Sequence, residues 1–339
     1  MGPTGDTRVL QIHPTRRCNL RCLHCYSASG PEERDELPAA LLQGAIDDAG
    51  AAGYTVAAFS GGEPLLYQPL RALLEHARGR GMLTTVTSNG MLLDGRRLPL
   101  LQGALDLLAI SLDGTPASHD RMRADGRAFA AMAANLEGVR ASGIPFGFIF
   151  TLTQYNLHEL PWVAAFALAQ GAKLLQIHPL EEVGRAGQML AGEKPDAVEA
   201  SFAFVVAARL REVAGDRLYV QLDLLSRNHL RDHPERVFAG EPPAGPETAL
   251  AELVSPLVIE AGGSVVPIQY GFPRAYAFGN LKNAPLRELL PRWRRDCYDR
   301  FRILCRNVFE ELTAPAELPL ANWYELLARR AQAMAGVGG

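Results

Sequence analysis

Thr15–Ser27 reads TRRCNLRCLHCYS, which sets Cys18, Cys22 and Cys25 at C-x3-C-x2-C spacing. Three thiolates are one fewer than a closed site needs, and protein iron–sulfur clusters are usually held by four. A [4Fe–4S] cube on this loop keeps one iron open to another ligand, which points to chemistry at that iron rather than electron storage. Zinc, with His24 or a distant residue as fourth ligand, is the competing reading. Zinc sites usually come as paired C-x2-4-C elements or Cys/His sets, and no second pair lies nearby. A disulfide fits less well, because the five cysteines are an odd number and no basic-then-apolar leader precedes them.

Outward from this loop, apolar runs alternate with helical patterns. RVLQIHP, TVAAFSG, LTTVTS, DLLAISLD, FGFIFTLT and KLLQIHPL read as buried parallel strands. Helices are expected at 38–52, 69–80, briefly after Leu92, at 129–142 and at 157–170, with Pro38 and Pro69 in first turns. Gly53, Gly81, Gly143 and Gly171 follow the ends of four of them. Six strand–helix units imply right-handed crossovers and an α/β fold. Six are too few for a closed eight-stranded barrel, so a partial (β/α)6 barrel with an open side is expected. The reactive side then lies at the carboxyl ends of the strands, where His13, Ser60, Ser88, Ser111, Asp113, Thr151, Thr153 and His178 collect. LQIHP occurs at 10–14 and again at 175–179, marking strand ends expected to border the opening.

Four motifs together carry a family resemblance: the cysteine triad, SGGEP at 60–64, TSNG at 87–90 and ISLDG at 110–114. In order and spacing the chain resembles the radical S-adenosylmethionine (radical SAM) superfamily over roughly its first two-thirds. The resemblance implies that Cys18, Cys22 and Cys25 bind three irons while S-adenosylmethionine chelates the fourth. Reduction of the sulfonium then yields a 5′-deoxyadenosyl radical. It further implies that His24, before the third cysteine, lies against the adenine. Gly61, Gly62, Glu63 and Pro64 form the turn that holds the methionyl ammonium. Ser88, Asn89, Ser111 and Asp113 reach the carboxylate and ribose, and Arg123 is a basic neighbour of that carboxylate. Glu181 or Glu182 is a candidate substrate ligand or proton acceptor, Arg185 belongs to a Gly-Arg step common in the family, and no catalytic base is assigned.

Near Ser226 the pattern changes. Residues 1–225 read as the partial barrel, 226–255 as a proline-rich connector or lid, and 256–339 as a smaller α+β extension with a hairpin at Gly262-Gly263. This end resembles the SPASM/twitch extension of peptide-modifying members, but without its cysteines: only Cys297 and Cys305 remain, and Ile268 stands where the family has one. Trp293, Cys297, Phe301, Leu304, Cys305 and Val308 recur at helical intervals, so both cysteines read as core and no auxiliary cluster is expected. Six arginines between Arg292 and Arg306 read as a solvated face, or more sharply as a docking face for an acidic peptide.

With 48% apolar residues and a net charge of −3, the composition is globular and offers no field for nucleic acid. No apolar run is long enough for a membrane span, and Asp6 breaks a myristoylation pattern. A reducing cytoplasm is expected. The substrate expected from the resemblance is a ribosomal peptide, with a small metabolite or tetrapyrrole as the alternative, and flavodoxin or ferredoxin as external electron donor. A non-catalytic zinc- or iron–sulfur-binding interaction protein is the rival from another class.

Overall fold

Each apolar run of the first two-thirds becomes a strand: β1 (Val9–Ile12), β2 (Val56–Phe59), β3 (Leu83–Ser88), β4 (Leu107–Ser111), β5 (Phe146–Leu152) and β6 (Leu174–Pro179). A further strand, β7 (Tyr219–Leu222), extends the expected six. There follow β8 (Leu225–Ser226), β9 (Leu257–Ile259), β10 (Ser264–Pro267), β11 (Gly279–Asn280) and β12 (Leu320–Ala321). The computed structural model describes residues 7–240, 248–314 and 320–336. The expected connector therefore lies partly outside the described residues, as does Asp6.

Ten strands form one unclosed sheet in the order β11-β10-β9-β1-β2-β3-β4-β5-β6-β7. From β1 to β7 every neighbour is parallel. Strands buried on both faces must be apolar throughout, and Ile12, Val86, Ile110, Phe148 and Ile177 are completely buried. Each such side chain contributes about 1.5–3 kcal/mol by leaving water. Polar residues gather at the carboxyl ends of these strands, with Gln11, Thr84, Thr85 and Gln176 among the exceptions inside them.

The LQIHP strands do not border the opening as expected. β9 pairs in parallel with β1, and β7 lies outside β6. The hairpin β9–β10 forms as expected, and β11 completes an antiparallel edge on the same sheet.

The predicted helices appear at Ala39–Ala51, Leu70–Gly79, Ala128–Ala141 and Leu160–Gln170, with Pro38 and Pro69 as their caps. Gly171 ends the last of these at φ +77°, a conformation that costs glycine little. The short helix expected after Leu92 is a 3-10 turn at Leu98–Leu100. Two further helices, Pro116–Arg123 and Ala197–Ala214, have no counterpart in the sequence reading. The second starts at a reciprocal cap in which Asp196 and Glu199 each accept the other's backbone N–H at 2.8 Å.

In the extension, Pro291 lies inside a helix at Leu286–Asp296 rather than starting one, and the chain breaks at Cys297 before Tyr298–Thr313. Trp293 stacks on Phe278 with ring centroids 4.2 Å apart, and its Nε1 donates to the Tyr276 carbonyl. Cys297 and Cys305 are buried in this apolar core. The arginines of these helices make the contacts of a solvated face. Arg295 pairs with Asp296 and Arg306 with Glu310, while Arg294 donates to the Thr248 carbonyl. Arg300 lies over the Tyr276 ring.

Candidate active site

The carboxyl ends of the parallel strands open into one cavity of about 730 Å³, and the cysteine loop, the glycine turn and the β3 and β6 ends all line it. The loop is held from both sides. Arg185 donates to the carbonyls of Cys22 and Ser29, both at 2.8 Å, and its own N–H donates to the Cys25 carbonyl. A methyl on Gly184 would overlap the Tyr26 carbonyl, so the Gly-Arg step after β6 fixes the loop that carries the thiols.

Cys18, Leu20 and Cys22 form an apolar cluster against which Cys25 and Met91 pack. Burial first, and the Glu63 charge next, push the Cys18 thiol up to about 12. Burial likewise raises Cys22, against the pull of Arg123, which donates to its Sγ at 3.7 Å. Buried, proton-holding thiols converging in one pocket are the donor set of a cationic metal group, whose binding would displace the protons. The glycine turn packs directly on the backbone of the cysteine loop: a side chain on Gly61 would meet the Thr15 carbonyl at 2.8 Å, and one on Gly62 would overlap that of Arg17. Cys18, Cys22 and Cys25 line one cavity, and their chemistry is the thiol donor set that an iron–sulfur cube would take.

Glu63 takes a different position from the expected ammonium ligand. Its carboxylate is wholly buried and accepts from Leu65 N at 3.1 Å, Ser88 Oγ at 3.0 Å and Asn89 N at 2.9 Å. Burial raises its pKa against these three donors and Arg123. The side chain therefore locks the glycine turn to the end of β3, while Ser60, Gly61 and Gly62 face the cavity. Pro64 is buried at the start of a 3-10 turn behind it. Glu63→Gln would set an amide NH2 against the N–H of Leu65 or Asn89 in either orientation. A loss of about 1–3 kcal/mol is expected, read as a lower Tm in the otherwise intact protein.

Ser88 and Asn89 line the cavity with their polar atoms partly engaged, Asn89 reaching Asn19 of the cysteine loop at 2.8 Å. Ser111 lines it too. Asp113 departs from its expected place: it is fully buried, and its Oδ2 lies 2.7 Å from Arg123 Nε. Burial works against its charge, but Arg123, His24 and His119 outweigh it and lower the pKa. Asp113 thus anchors Arg123, and it is Arg123 that reaches the cavity beside Cys22. His24 lines the cavity 3.8 Å from Asp113 Oδ2, and burial above all lowers its pKa to about 4. At neutral pH it presents a flat, uncharged ring, which suits stacking on another flat ring.

His13 is completely buried against Tyr26 and Tyr270, with ring centroids 5.7 and 4.8 Å away. The loop after β10 forms part of the wall through Ile268, Gln269 and Tyr270. Ile268 has φ +70°, a strained conformation for a β-branched residue, and the Gln269 Oε1 is buried without a hydrogen bond. Glu182 is exposed and caps Gly192 N, whereas Glu181 lines the cavity. Missed altogether by sequence reasoning were Asp223, next after β7, and Tyr324, both on the cavity wall. Asp223 sits at a strand end like the polar residues that were singled out, so recognising β7 would have found it.

Cys297 and Cys305 are remote from this arrangement in sequence and belong to the apolar core. Replacing both by alanine is expected to leave the iron and sulfide content of anaerobically reconstituted protein unchanged. A loss of half the iron would instead show that they hold a second cluster.

Residues 12–167 match the family model described as the radical SAM superfamily. Fe-coproporphyrin III synthase from Methanosarcina barkeri is 30% identical over 83% of this chain and 73% of its own length. PqqA peptide cyclase from Xanthomonas campestris is 26% identical over 67% of this chain and 60% of its own. Among solved structures, SuiB of Streptococcus suis bound to S-adenosylmethionine shares the fold with a TM-score of 0.68 at 15% identity, covering 87% of this chain and 68% of SuiB. Among the described residues no helix is long and apolar enough to cross a membrane.

Proposed function

This chain belongs to the radical SAM superfamily, and we propose that it holds one [4Fe–4S] cluster on Cys18, Cys22 and Cys25 and abstracts a hydrogen atom from a tetrapyrrole. The observation that carries this reading is the meeting of three cysteine thiols, two buried and one half-buried, a glycine turn and a polar strand-end rim at one cavity. When bound, the cluster and S-adenosylmethionine supply reductive sulfonium cleavage and the radical that takes the hydrogen atom.

The chain's own residues bind and orient. Gly61 and Gly62 let the turn close on the cysteine loop while lining the cavity, and Glu63 fixes that turn from behind. Ser88, Asn89 and Ser111 offer hydroxyl and amide groups to a carboxylate or ribose. His24 offers a neutral ring face to an adenine, and Arg123 keeps positive charge beside the cysteine loop. Cys297 and Cys305 stay in the core, so no auxiliary cluster is part of the reading, and the reducing electron comes from an external carrier such as flavodoxin or ferredoxin.

The tetrapyrrole substrate is supported by the M. barkeri synthase, whose likeness is the longer and stronger of the two sequence relatives. A ribosomal peptide is the second reading, favoured by the peptide cyclase likeness and by the fold shared with SuiB. Anaerobic turnover with dithionite should release 5′-deoxyadenosine, and deuterium from a labelled substrate should appear in it. Release with a tetrapyrrole, tried as a panel holding precursors of coproporphyrin III as well as coproporphyrin III and its iron complex, supports the first reading, and release only with peptides replaces it by the second. Absence of 5′-deoxyadenosine under every condition refutes both.

A further inference from the structure

Where β6 and β7 end, the cavity wall carries a side-chain cluster that hydrogen-atom abstraction leaves without a role. His178 Nδ1 lies 3.1 Å from Asp223 Oδ2. Asp223 is itself pinned: Gln176 Nε2 donates to Oδ2 at 2.6 Å and Gln221 Nε2 to Oδ1 at 2.7 Å. A carboxylate only accepts, so His178 Nδ1 carries a proton and the ring is held in one orientation. The other nitrogen, Nε2, is 3.9 Å from Glu181 Oε1, beyond hydrogen-bond reach, and has no hydrogen-bond partner among the described residues. The His178 side chain is 39% exposed and opens into the cavity.

Burial opposes charge on this ring, but Asp223, Glu181 and Glu325 outweigh it and raise the pKa above 6.5. Glu325 is paired with Lys194. Burial first also raises Glu181, whose Oε1 accepts from Asn322, so this carboxyl takes up a proton more readily than an exposed one. Tyr324 and Arg236 stand on the same cavity wall. The open position of the cluster is Nε2, which donates to an acceptor when the ring is protonated, in company with a phenol and a guanidinium on the same wall.

We infer that His178 is a substrate-recognition residue that presents its Nε2–H to a carboxylate of the substrate, with Asp223 positioning the ring. The inference rests on the radical SAM reading only for the identity of the cavity as the reaction site. A tetrapyrrole propionate and an acidic peptide side chain share this chemistry, and the probes separate them.

The test is equilibrium binding to the anaerobically reconstituted full chain, with coproporphyrin III, its tetramethyl ester and N-acetyl-tetraglutamate amide as probes. The free acid is expected to bind more tightly than the ester. His178→Gln should erase that preference, by a factor of about 10–100 for one charge-assisted hydrogen bond, and leave ester binding unchanged. Affinity for the acid should fall as pH rises through the His178 pKa. Asp223→Asn should move that fall to lower pH and also serves if His178→Gln does not fold, and a merely structural dyad would move neither readout. Tetraglutamate binding that needs His178, without porphyrin binding, supports the carboxylate subsite and assigns it to a peptide. Equal binding of acid and ester, a preference that survives His178→Gln, or binding of no probe overturns the inference. A spectral response of the cluster to S-adenosylmethionine in the same samples keeps the radical SAM reading distinguishable from it.

Discussion

Cys22→Ala is expected to leave the protein folded and colourless, with iron and sulfide near background and no 5′-deoxyadenosine formed. The thiol is buried beside Arg123 and shares its pocket with Cys18 and Cys25. Losing one sulfur from that pocket costs the fold on the order of 1 kcal/mol, the centre of the distribution for single substitutions. It costs the site one of only three protein ligands. Turnover should therefore fall at least about a thousandfold, as when one member of a catalytic unit is removed. Circular dichroism and Tm separate this from unfolding. A variant that keeps its iron would move the cluster off this loop.

Asp113→Ala is expected to produce the largest loss of stability of any single change at the site, about 3–5 kcal/mol, because it strands a buried guanidinium. Asp113 and Arg123 are both buried, at 0% and 7% exposure, so little water reaches the uncompensated charge. The effect is read in denaturant midpoints. Pairing it with Arg123→Met should recover much of the loss, since an apolar pair of similar volume removes the stranded charge. The pH dependence has a definite sign. Asp113 has a folded pKa below its ordinary 3.8, so its contribution is present above that value and is lost as pH falls through the lower folded one. A double variant no more stable than Asp113→Ala would show that the ion pair is not the origin of the loss.

The parallel sheet was legible because strands covered on both faces leave predominantly apolar runs, and the cysteine, glycine and Ser-Asn motifs sit at fixed offsets from those runs. β7 was not legible: Tyr219–Leu222 alternates exposed and buried residues over four positions and follows a long helix whose outer face is apolar. Asp223 was lost with it, and so was the His178–Asp223 dyad.

Residue type identified the rim but not the direction of each side chain. Glu63 and Asp113 are carboxylates in motif positions, and the sequence does not tell whether a carboxylate faces a ligand or three backbone and side-chain donors. Burial decides: both are completely enclosed, and their oxygens serve Leu65, Ser88, Asn89 and Arg123. The break at Cys297 was equally hidden, since the apolar intervals from Trp293 to Val308 are those of one continuous helix.

Electron paramagnetic resonance of the dithionite-reduced, anaerobically reconstituted protein, recorded with and without S-adenosylmethionine, shows whether the cysteine loop carries a cluster with an open iron. The expected spectrum is that of a single reduced [4Fe–4S] cluster whose g values shift when the sulfonium compound is added. No such signal, or one indifferent to S-adenosylmethionine, would contradict such a cluster.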